Sequence, residues 1–244
     1  MNPFPGTPAD RRPHAGWEWP EALGFLPWAG AGFLQQGLVA GWLKASGFPS
    51  WFGLVCGQAV FLVFVLFGFV RLSRAHGRAF AEALGCRNPL WPRHVGAGLL
   101  AGLAFLPAAY GLQALVSGLF RMLGFEVPIQ NAVELLMAAG PTGRMGIYLA
   151  AGIGAPVAEE ILFRGVIFAT IRDNGWPRSA LLGSAILFGA VHFNLGALVP
   201  LTGFGMLLAL VYDRTGSLLA PIAAHMVFNA APFVMLLLGV EFAK

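Results

Sequence analysis

Charge is scarce in this sequence. Only 11% of its 244 residues are Asp, Glu, Lys or Arg, against 57% apolar, and the mean hydropathy is +0.72. So few charges cannot cover a water-facing surface, which excludes an ordinary soluble domain and points to an integral membrane protein. The net charge of +4 comes from cations in loops beside apolar runs, not from a groove interleaved with aromatics, so nucleic acid is excluded as a partner. Two cysteines, Cys56 in an apolar run and Cys86 in a basic loop, are too far separated to make a disulfide framework, and they leave the redox compartment open. Three hydrolase signatures are also missing. His192 is followed by Phe193 and Asn194, so there is no His-Glu-x-x-His helix; Leu115 stands where Ser117-Gly118 would need a glycine; and Asp173 and Asp213 both avoid mid-span, which removes an aspartyl dyad.

What is present is a series of apolar runs at 22–43, 51–70, 95–120, 145–171, 179–195, 197–212 and 217–240. They predict an all-α, polytopic transmembrane bundle of about seven, possibly eight, spans. The fifth and sixth are short and parted only by Asn194-Leu195-Gly196, as in a tight hairpin. Residues 1–21, with no apolar core, are expected to be a polar tail and not a cleavable signal; 22–140 hold the first helices and a basic loop at 71–94; 141–244 form the catalytic core. Ile129 to Ala139 reads as an amphipathic segment lying on the interface. With the N-terminus inside, ten Lys and Arg fall on the cytoplasmic side and four outside, which favours that orientation in a cytoplasmic membrane, expected to be bacterial.

Against this background Glu159, Glu160, Arg164, His192 and His225 stand out, because a charge at the bilayer centre costs roughly 2.5 to 3.5 kcal/mol even on a mild scale. Counted from the cytoplasmic ends at about 1.5 Å per residue, the two glutamates lie about 17 Å deep, His192 about 20 Å, and His225 and Asn229 about 12 and 18 Å. Three runs thus deliver polar groups to one layer. Glu160 and Arg164, four apart on one helical face, suit a buried ion pair that pins packing. Glu159 is turned away from Arg164 and lacks such a partner, which makes it the candidate general base. Imidazole at His192 and His225 can hold water, bind a metal or steady an oxyanion, and Asn229 offers an amide one turn from His225. Phe188, one turn before His192, is read as packing that orients the ring.

Pro156 cannot donate to the carbonyl of Gly152, nor Pro221 to that of Ser217, which favours a hydrated cavity beside these elements. Gly98 and Gly102, in small-xxx-small spacing, are read as a close helix contact and not as a dimer face; the oligomeric state is not legible.

Glu159-Glu160-x-x-x-Arg164, Phe188-x-x-x-His192 and His225-x-x-x-Asn229, in that order on three runs, resemble the motifs of the CAAX-protease and bacteriocin-processing family of intramembrane endopeptidases. The likeness covers about residues 145–230. It implies that Glu159 acts as general base on a water also held by His192, that His225 and Asn229 support the oxyanion, and that Glu160 with Arg164 orders the site. It implies as substrate a membrane-anchored or lipidated protein or peptide. Prenylated proteins, bacteriocin leaders and C-terminal sorting helices all stay open, as does the role of metal: Glu159, His192 and His225 can supply three ligands to Zn²⁺ with a place left for water, while a metal-independent, glutamate-based mechanism uses the same residues. Two other readings compete. One is a non-proteolytic membrane immunity factor. The other is a proton-coupled transporter, whose inverted repeats with paired broken helices are not seen.

Overall fold

The computed structural model describes residues 16–128 and 130–239. Among them are nine helices and no strand. These are α1 (Trp19–Ala45), α2 (Ser50–Ala75), α3 (Phe80–Ala83), α4 (Trp91–Met122), α5 (Asn131–Ala138), α6 (Pro141–Asp173), α7 (Pro177–Ala190), α8 (Leu195–Thr215) and α9 (Leu219–Leu237). Most of the expected tail lies outside the described residues. Its last part does not: Glu18 and Glu21 form a reciprocal capping box that starts α1 at Trp19, where Pro20 suits the first turn. The basic loop is shorter than expected, since α2 carries Arg71 and Arg74, α4 carries Arg93, and α3 folds between them. Of the interfacial segment, Ile129 is outside the described residues and Asn131–Ala138 is helical.

The seven apolar runs are the seven long helices, but five of them are long and apolar enough to cross a membrane: α2, α4, α6, α8 and α9. By length and composition alone, α1 and α7 fall short of that measure. With 27 residues α1 has the length, but Glu21, Gln35, Gln36 and Lys44 dilute its apolar character. In contrast, α7 is apolar but has only 14 residues. At about 1.5 Å per residue it reaches about 21 Å, well short of a hydrocarbon layer of about 30 Å. Starting at Pro177, it ends at a turn, and His192 lies in that turn, just past the last helical residue Ala190.

Small residues bring the helices together. A Cβ on Gly102 of α4 would lie 2.6 Å from the carbonyl oxygen of Ala224, and Gly98 sits more tightly still on the carbonyl of Ala220, so α4 lies directly on the backbone of α9. This is the close helix contact the spacing predicts. Gly53 and Gly57 pack α2 on the backbone of α1 at Ala40 and Gln36, and Gly205 packs α8 on Ala185 of α7. One buried cluster joins α1, α2 and α6 through Phe25, Phe61, Val65, Phe69, Ile161 and Val166. A second joins α6, α7, α8 and α9 through Phe163, Phe188, Leu201, Phe204 and Ala224, and the site is built on it.

Candidate active site

The site rests on an unusual helix. α6 is not α-helical throughout, since Tyr148–Gly154 and Ile161–Phe168 are π-helical and Ala155–Glu160 between them returns to α. Ala155 N–H bonds the carbonyl of Ala150, five residues back. A return to four-residue spacing then passes over the carbonyl of Ala151, and Pro156 has no N–H to give Gly152, so two successive carbonyls are released. Asn229 of α9 donates its Nδ2–H to the first, Ala151 O, at 2.7 Å. Ala151, Gly152 and Asn229 line a cavity of about 1120 Å³, together with Tyr110, Gln113 and Phe228. A cavity thus lies beside the carbonyls that Pro156 and the π turn free. At Pro221 the expected gap is closed, since Ser217 O receives the N–H of Ala220 and the hydroxyl of Thr215.

Glu159 and Glu160, adjacent in sequence, face different surroundings. Glu160 and Arg164 are fully buried, with Arg164 Nη1 2.9 Å from Glu160 Oε1. The other arm of the guanidinium donates to Gly205 O at 3.0 Å, and its plane lies 4.6 Å from the ring of Phe188. The same Glu160 oxygen is 2.8 Å from His225 Nδ1. A carboxylate paired with Arg accepts, so His225 donates through Nδ1 and turns Nε2 outward. That Nε2 lies 3.9 Å from Glu159 Oε2.

His192 arrives from the opposite side. Its Nδ1 is 2.7 Å from Phe188 O, and because a carbonyl only accepts, the proton sits on Nδ1 and Nε2 presents a lone pair. This Nε2 lies 4.0 Å from Glu159 Oε2, with 26% of the His192 side chain and 18% of the Glu159 side chain exposed. Glu159 Oε2 has no hydrogen-bond partner among the described residues. Two acceptors 4.0 Å apart are the span one water bridges by donating a hydrogen to each at about 2.8 Å. Phe188 is in edge contact with both imidazoles, at 5.1 Å from His192 and 5.5 Å from His225, and Phe204 closes on His225 at 5.4 Å.

Six of the seven residues singled out from the sequence, Glu159, Glu160, Arg164, Phe188, His192 and His225, thus come together, while Asn229, one turn after His225, is bonded to Ala151 O. The zinc set does not form as placed: zinc ligands at about 2.1 Å would stand roughly 3.4 Å apart, closer than the 3.9 and 4.0 Å found here. Among the described residues no group of three or more His, Cys, Asp and Glu is arranged to hold a metal ion. Sequence reasoning missed Gly205, Ala151 and Phe204. The two backbone oxygens carry no signal in residue type, whereas Phe204 stood in an apolar run with no mark to separate it from its neighbours.

Residues 141–231 match the family of the Type II CAAX prenyl endopeptidase Rce1-like proteins. The likeness to an Rce1-like domain is confined to this stretch. All seven site residues lie inside it, and the membrane character of the apolar helices agrees with it: this is an integral membrane protein. Among curated proteins of Bacillus subtilis (strain 168), the chain is 35% identical over 87 residues to "Putative membrane peptidase YdiL", covering 36% of each. It is 34% identical over 77 residues to "Uncharacterized protein YpbD", covering 30% of this chain and 36% of that one. The match therefore spans about a third of the length of either relative. No solved structure matches the chain.

Proposed function

We propose that this chain is an intramembrane endopeptidase that hydrolyses a peptide bond of a membrane-anchored or lipidated protein, by a glutamate-based mechanism. The observation that carries the reading is the Glu159 Oε2 atom, unpartnered and flanked by His192 Nε2 at 4.0 Å and His225 Nε2 at 3.9 Å, inside an Rce1-like domain. A water between Glu159 and His192 donates one hydrogen to each and keeps its lone pairs for a substrate carbonyl. Glu159 takes a proton as the water oxygen bonds to the carbonyl carbon. The tetrahedral oxygen is then stabilised by the second amide proton of Asn229, the first being held by Ala151, and by His225 as its imidazolium, which gives Nδ1–H to Glu160 and Nε2–H to the oxyanion. When the C–N bond breaks, the proton on Glu159 passes to the leaving amine, leaving a carboxylic acid and an amine. Glu160 and Arg164 orient His225 and do not touch substrate.

The cavity of about 1120 Å³, mostly apolar and lined by Asn229 but not by Glu159, His192 or His225, supports a lipidated or hydrophobic segment held beside the site. With all seven apolar runs crossing, the ten Lys and Arg on one side against four on the other support a cytoplasmic membrane with the N-terminus inside. Purified protein in liposomes, offered a farnesylated CAAX peptide and a transmembrane helical peptide as probes, is expected to cut at least one, and the Glu159→Gln variant neither. Cleavage by Glu159→Gln at the wild-type rate overturns the assignment.

A further inference from the structure

The second π stretch of α6 raises a question the catalytic reading does not answer. A π turn holds one residue more than an α turn, so the register of Ile161–Phe168 turns the helix before it relative to the helix after it by about 100°. π geometry is the less favoured form and needs something to hold it. Ala169 N–H bonds the carbonyl of Arg164, five residues back, and Ala169–Asp173 is α-helical again. The return passes over one carbonyl, that of Gly165, the residue directly after Arg164. Its partner comes from outside the helix and 148 residues away: Trp17 Nε1 donates to Gly165 O at 2.7 Å, in a buried bond.

Trp17 is built into this place. Its side chain is 3% exposed, its ring stands edge-on to Phe69 at 6.3 Å and to His76 at 4.7 Å, and Arg78 lies 5.8 Å over it. The backbone around it is tied to the end of α6: Asn174 Nδ2 donates to Trp17 O, and Gly16 N–H to Asp173 Oδ2, both at 3.4 Å. The next turn is held too, because His76 Nε2 meets Glu21 at 2.9 Å. The segment before α1 is thus a strap anchored at the π stretch.

We infer that Trp17 is a positioning residue of the site: its indole N–H holds the π register that sets Arg164 against Glu160 and, through Glu160, orients His225. The effect on turnover rests on the proposed protease activity, but the effect on the site's geometry does not, so the two are measured separately. Trp17→Phe keeps a ring against Phe69 and His76 and removes the donor. Phe69→Leu disturbs the packing around Trp17 and keeps the donor.

Hydrogen exchange followed by mass spectrometry on the full-length protein in nanodiscs reads the register. Trp17→Phe is expected to speed exchange over 161–173 by at least tenfold with little change in α4, and Phe69→Leu is not. Ring-¹⁵N NMR of histidine-labelled protein reads the site: Trp17→Phe shifts the His225 Nδ1 signal and leaves that of His94 unchanged. Where a peptide probe is cut, turnover falls about tenfold in Trp17→Phe with KM within twofold. An unchanged His225 signal, uniform acceleration of exchange over all helices, or the same response from Phe69→Leu overturns the inference. A wild-type protein that cuts no probe counts against the protease reading alone.

Discussion

His225 and Glu160, 65 residues apart in the chain, meet at 2.8 Å through Nδ1 and Oε1, on the oxygen that also receives Arg164 at 2.9 Å. One buried carboxylate oxygen therefore does two things: it neutralises a guanidinium and selects the imidazole nitrogen that faces Glu159. The two neighbouring glutamates divide the work, Glu160 as the orienting group and Glu159 as the base.

The division predicts different losses. Arg164→Met leaves Glu160 buried without its cation and is expected to cost about 3 to 5 kcal/mol of stability, seen as a large fall in the thermal midpoint in detergent. Glu160→Met with Arg164→Met removes both charges and is expected to be more stable than either single variant. It remains inactive, because His225 has lost its acceptor. Recovery of turnover along with stability in the double variant would show that the pair only pins the helices.

A second prediction concerns Asn229. Its amide donates to Ala151 O, so the order of variants follows from donor chemistry. Asn229→Ala loses the donor and is expected to lower turnover by about 10²-fold, the scale of one oxyanion donor. Asn229→Asp sets an acceptor against a carbonyl and is expected to be worse in both turnover and thermal midpoint. Turnover in Asn229→Asp at or above that of Asn229→Ala contradicts the assignment.

The third prediction has two signs. At Gly102 a new Cβ would lie 2.6 Å from Ala224 O, on the residue before His225, whereas at Gly111 nothing lies within 4 Å. Gly102→Ala forces α9 away and is expected to cost about 1 to 3 kcal/mol and to slow turnover. Gly111→Ala on the same helix is expected to be neutral or to stabilise by up to about 1 kcal/mol. Thermal midpoints of the pair decide it; equal effects would mean that the close approach of α4 to α9 has no bearing on His225.

A fourth concerns metal. With Glu159 wider from both imidazoles than zinc ligands stand, hydrolysis is expected to survive prolonged treatment with a strong chelator. Added Zn²⁺ is expected to give no gain. Loss of turnover on chelation, restored by Zn²⁺, would place the ion among the working parts.

Much of the site was legible because membrane burial makes polar residues conspicuous. Glu159, Glu160, Arg164, His192, His225 and Asn229 were found by their cost in an apolar run, and depth arithmetic placed them in one layer. What stayed hidden has a common cause. The π turns of α6 are changes of hydrogen-bond register, and no residue type announces them; the carbonyls of Ala151, Gly165 and Gly205 act as partners through position alone. Trp17 was visible as a residue but lay in what read as a polar tail, and its partner is defined only once α6 leaves the α register. The length of α7 was hidden for a related reason: its apolar run reads on to residue 195, but the helix ends at Ala190 and Val191–Asn194 turns the chain.

The account stands most directly on what Glu159 does to a peptide bond in the membrane. Membranes from source cells lacking this chain, given back the purified wild-type protein or the Glu159→Gln variant, can be compared by mass spectrometry of newly formed protein termini. The prediction is a small set of new termini in membrane-anchored proteins, present with wild type and absent with both Glu159→Gln and His192→Ala, each variant eluting as folded protein. The same termini appearing with Glu159→Gln would contradict it.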